Sequence, residues 1–82
     1  MYRLAADQGN ALAQSTLGVL YAKGSGVPQD YAEAVKLFRR AASQANARGQ
    51  NGLGVMYRNG QGVSKDFIEA ATWFHLAADQ GY

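Results

Sequence analysis

The chain has 82 residues, nearly half of them apolar and only 17% charged, with a net charge of +2. A chain this short forms one small domain and hides only about 60–65% of its unfolded-state surface. So small a charge argues against nucleic acid, which needs clustered Lys and Arg on one face. The lack of cysteine excludes a disulfide framework, a thiolate nucleophile and a cysteine zinc cluster. It also fits a reducing compartment without requiring one.

Stepped by 36 residues, Asn10–Ala45 falls on Asn46–Gly81 without a gap, and 17 of the 36 positions are identical. Leu4–Gly9 (LAADQG) returns letter for letter at Leu76–Gly81. The chain therefore divides into a partial unit, 1–9, and two whole units, 10–45 and 46–81. Periods of 20–50 residues mark solenoids, whose units bury their apolar faces by stacking on one another.

In chain order, residues 1–9 correspond to the back half of a second helix, with Tyr2 at the position of Phe38 and Phe74. The chain thus reads as a piece of a longer array, and no charged segment followed by an apolar one marks a signal peptide. A first helix opens at Asn10, and again at Asn46, because Asn accepts a hydrogen bond from the first turn. Gln14, Leu17, Gly18 and Tyr21 form its buried stripe at i, i+3, i+4, i+7. Gly24 and Gly60 end these helices in the left-handed conformation that a missing Cβ permits. In the loops that follow, Val27 and Val63 are placed to plug the gap between helices.

The second helix opens at Asp30 with Glu33, and at Asp66 with Glu69, the spacing of a reciprocal capping box. Its stripe is Tyr31, Ala34, Val35, Phe38, Ala41 and Ala42, repeated as Phe67, Ala70, Ala71, Phe74, Ala77 and Ala78. Gly9 and Gly81 terminate their helices, whereas the same slot in the middle is Ala45. Either Ala45 bears a positive φ at a cost of about 1 kcal/mol or more, or its turn differs.

The pattern A-x-x-Q-x-x-L-G-x-x-Y-x-x-G-x-G-V-x-x-D-[YF]-x-E-A-x-x-[LW]-F-x-x-A-A resembles the Sel-1-like repeats, relatives of the tetratricopeptide repeats. The 36-residue step, the G-x-G-V loops and the paired alanines carry the resemblance over essentially the whole chain. It implies an all-α, right-handed superhelix of antiparallel helix pairs with the first helices on the concave side. It also implies an adaptor that holds protein or peptide partners. A cysteine-rich branch of the family is associated with β-lactams; this chain lacks those cysteines, so that association stays remote. Leu37 stands where Trp73 matches the more usual tryptophan, and looser packing is expected in that unit.

Several residues that invite a catalytic reading have plainer roles. Gly18 and Gly54 sit mid-helix, where close helix contact is the expected reason. The four carboxylates of Asp30, Glu33, Asp66 and Glu69 are accounted for as caps. His75 aligns with Arg39 on a polar side and lacks a nucleophile or orienting partner. No metal or cofactor is expected. The positions that packing does not dictate are Leu12, Ser15, Val19 and Ala22 on one first helix and Arg48, Asn51, Val55 and Arg58 on the next, with Lys23 and Asn59 at the rim.

Two functions follow from this pattern. The leading one is a non-enzymatic module holding a protein or peptide, with the arginines favouring carboxylates; the simple alternative for these residues is a solvated face. The other is self-association through apolar surface at the ends, at Tyr2, Leu4 and Ala5 and at Phe67, Trp73, Phe74 and Leu76, where substitution of Trp73 is the cleaner probe. No segment is expected to enter a membrane.

Overall fold

A computed structural model describes Ala6 and residues 9–82; Tyr2, Leu4 and Ala5 lie outside the described residues. Among residues 9–82, four helices of equal length follow one another: α1 (Ala11–Lys23), α2 (Tyr31–Ser43), α3 (Ala47–Asn59) and α4 (Phe67–Asp79). They form two helix–loop–helix units, all-α among the described residues, in the solenoid arrangement.

Local chemistry fixes the ends. The Asn10 and Asn46 side chains accept from the amides of Ala13 and Gly49 at 2.9 and 2.8 Å. Gly24 and Gly60 close α1 and α3 with φ of 71° and 67°. Asp30 accepts from the Glu33 amide, and Asp66 from those of Ile68 and Glu69. The expected reciprocal half of the capping box is replaced. The Asp30 and Asp66 amides donate instead to the carbonyls of Tyr21 and Tyr57, each at 2.9 Å. That bond ties the start of each second helix to the end of its first. The two acids make other contacts: Glu33 lies 3.8 Å from Lys36, and Glu69 accepts from the Trp73 indole at 3.0 Å.

The core runs both within and between units. One cluster joins Ala34, Val35, Phe38 and Ala42 of α2 to Leu53 and Met56 of α3, and Val63 packs against it from the second loop. A second joins Ala6 to Ala13, Leu17 and Leu37. Tyr21 touches both clusters. Leu37 is fully buried, with 0% exposure, so the expected loosening is absent: the smaller side chain fits a closed site. The second stripe is less covered than the first. Ala70 and Ala77 are buried, but Phe67, Ala71 and Ala78 are exposed, because α4 packs chiefly on α3 alone.

Close approach explains the mid-helix glycines. A Cβ on Gly18 would fall 2.8 Å from the Phe38 ring, one on Gly52 2.7 Å from the same ring, and one on Gly54 2.8 Å from Phe74. Phe38 is thus held between α1 and α3. Buried amides add a polar tie within each unit: Gln44 donates to Gln14 at 2.9 Å and Gln80 to Gln50 at 2.8 Å, while Gln14 donates to the Ala6 carbonyl.

Candidate interaction groove

Because α1 and α3 touch each other and α2 and α4 make no comparable contact, the stack bends toward its first helices. Their outer sides form one face. On it a depression of about 230 Å³ opens between α1 and α3. Val19 and Ala22 form one wall, and Asn51 and Val55 the other. Phe38, Met56 and Tyr31 supply its interior, and Gly52 lets the α3 backbone close directly onto the buried ring of Phe38. Lys23 and Gln61 complete the lining with polar groups.

The remaining sequence candidates are distributed around this depression. Leu12 stands 62% exposed on the first turn of α1. Ser15 is corrected: it is completely buried, and its hydroxyl donates to the Leu12 carbonyl at 3.0 Å. Its short side chain satisfies itself on its own helix and lies beneath the face, unlike the longer Asn51 at the matching position. Arg48 is exposed and reaches Thr16 of α1, 3.4 Å from Nη1 to the hydroxyl. Arg58 is exposed and lies over the Phe74 ring, 5.8 Å from its centroid, with its Nε 3.3 Å from the Asn59 side-chain oxygen. The two arginines are ten positions apart on α3, or about 15 Å at the helical rise. They flank Asn51 and Val55 rather than converge on one carboxylate.

Charge is sorted between the layers. α1 and α3 carry Lys23, Arg48 and Arg58 and no carboxylate. The described acids, Asp30, Glu33, Asp66, Glu69 and Asp79, all lie on α2 and α4 or at their caps. A wider, open hollow of about 480 Å³ lies along α2, lined by Val35, Lys36, Arg39 and Arg40 among others. Its Arg39 is already engaged, donating to the Tyr57 hydroxyl at 3.0 Å. His75 is exposed. Among the described residues no group of His, Asp and Glu is placed to hold a metal ion, and no helix is long and apolar enough to cross a membrane.

Sequence reasoning found the depression's walls and missed its interior. Gly52 pairs with Thr16 across the repeat, so nothing in the comparison of the two units marks it; only the density of glycine in Gly49–Gly54 points to close packing.

The Sel1 repeat model matches the chain three times, at residues 1–10, 11–46 and 47–82. Among solved structures, a protective antigen present in uropathogenic Escherichia coli strains and displaying an SLR fold is 48% identical, with a TM-score of 0.95. That match covers 99% of this chain and 17% of the antigen. A Sel1 repeat protein from Oxalobacter formigenes is 40% identical, with a TM-score of 0.88 over 92% of this chain and 31% of that one. The chain thus spans less than a third of either protein. A search of the curated proteins gives no match. With three consecutive repeat matches and a superposable relative at near half identity, the chain belongs to the Sel1 repeat family.

Proposed function

We propose that this chain is a non-enzymatic binding module that holds an acidic peptide or protein segment on the face of α1 and α3. Sel1 repeats are in general non-catalytic scaffolds that mediate protein interactions. The observation that carries the acidic preference is the sorting of charge, three cations and no carboxylate on the first helices. Arginine pairs with carboxylates through a planar fork, and a face without acids does not repel them. Changing Arg48 and Arg58 together to Glu is expected to abolish capture of an acidic partner in a pulldown. The helical circular dichroism should persist, since both residues are exposed and the Arg58 contact with Phe74 is worth only about 0.5–1 kcal/mol. Undiminished capture would remove the arginines from the reading.

A second reading, self-association, is favoured by the apolar surface of α4, where Phe67 and Ile68 are 65% and 83% exposed and Leu76 is 41% exposed. Trp73 is not the clean probe that sequence suggests, because it packs against the core and its indole is bonded to Glu69. Ile68→Asp avoids that damage. Sedimentation equilibrium should show mass rising with concentration for the native chain and a monomer for the variant. A monomer throughout for the native chain would dismiss self-association.

A further inference from the structure

We infer that the depression between α1 and α3 is a socket for one large apolar side chain of the acidic segment, and that Ala22 is the residue that keeps it open. This rests on the reading of the first-helix face as the binding surface and names what it selects. At about 230 Å³ the space is below the roughly 300–1,000 Å³ of small-molecule sites. It equals about seven or eight waters at ~30 Å³ each, room for a side chain rather than a cofactor. Its lining is mainly apolar, with Val19, Val55, Phe38 and Met56 outweighing the polar groups of Lys23, Asn51 and Gln61, and Met adapts its shape to what enters. Lys23 lines it, and the two helices that flank it carry in addition Arg48 and Arg58 and no acid. The occupant with matching chemistry is therefore an apolar residue flanked by carboxylates.

The repeat supplies its own comparison. Phe38 and Phe74 are matching residues, and so are Ala22 and Arg58. Arg58 lies over the ring of Phe74. Ala22 ends at its methyl group and lines the depression, whose floor includes the buried Phe38. An arginine at position 22 would fill that space as Arg58 covers Phe74. It would also add a positive charge, so filling and electrostatics move the affinity for an acidic ligand in opposite directions.

The test uses fluorescent acidic peptides whose single central residue is alanine, serine, leucine or phenylalanine, with binding read by anisotropy. The leucine or phenylalanine peptide should bind the native chain about ten- to a hundredfold more tightly than the alanine peptide, the range for burying such a side chain. Ala22→Arg and the uncharged Ala22→Gln should each erase that difference while circular dichroism stays unchanged. Equal affinity for all four peptides, weakened alike by salt, would overturn the socket and leave the acidic-segment reading standing. Tighter binding of every peptide by Ala22→Arg, with the difference retained, would also overturn it. Failure of all the peptides to bind the native chain would overturn both.

Discussion

Ala45 adopts φ of 61°, the one positive value outside glycine among the described residues. The reason lies in the bonds that end α2. The Asn46 amide donates to the Ala41 carbonyl at 3.1 Å and the Ala45 amide to Ala42 at 2.9 Å. These are the paired bonds of a Schellman stop, whose penultimate residue must be left-handed. At the equivalent stop the amides of Gly81 and Tyr82 donate to the carbonyls of Ala78 and Ala77, and Gly81 has φ of 82°. An L-residue pays about 1–2 kcal/mol for this conformation, partly offset by the greater freedom glycine loses on folding. Ala45→Gly is therefore expected to stabilise by about 0.5–1 kcal/mol, read as a higher melting temperature. A lower one would contradict this account of the turn. The sequence left two possibilities open here, because a missing glycine shows that a cost exists but not whether the chain bears it.

Between elements, one tight junction is where α3 begins against the end of α2. A Cβ on Gly49 would lie 2.6 Å from the Ala41 methyl, 2.9 Å from the Ala42 amide nitrogen and 3.1 Å from the Phe38 carbonyl oxygen. Two of these neighbours are backbone, which yields only if the helices separate. Gly49→Ala should thus lose stability by up to about 2 kcal/mol, since overpacking of about 1–3 kcal/mol outweighs the roughly 1 kcal/mol that alanine gains in a helix. Urea unfolding checks this, and an unchanged or raised midpoint would show that the junction has slack. The matching Ala13 is buried and tolerates its methyl, which is why comparing the two units gave no warning. Caps and stripes were legible because they depend on a residue and its own helix. The capping-box reciprocity was not, because the carbonyls of Tyr21 and Tyr57, set by the loop's path, compete for the same amides.

At the scale of the whole molecule, the 36-residue period disclosed the architecture because stacking units must bury the same positions each time. The walls of the groove were legible for the complementary reason: Val19, Ala22, Asn51 and Val55 lie off the buried stripes. Ser15 misled because position alone does not tell whether a short hydroxyl folds back onto its own helix. The depth of the depression was hidden, since it depends on Phe38 lying under a neighbouring helix and on the size difference between Ala22 and Arg58.

The sorting of charge between the two layers also bears on how fast and in what pose a partner arrives. A net charge of +2 gives little attraction at long range, but within a Debye length of about 8 Å at physiological salt an acidic partner meets only cations on one side of the slab. On the proposed reading the opposite side, where Lys36, Arg39 and Arg40 mix with the acids, attracts such a partner less strongly. Salt and socket should then separate in time. Raising ionic strength should slow association while leaving dissociation nearly constant, and filling the space beside Ala22 should speed dissociation while leaving association nearly constant. Stopped-flow mixing of an acidic peptide with the native chain and with Ala22→Gln resolves the two rates. Salt acting mainly on dissociation would mean that the pose is found only after collision.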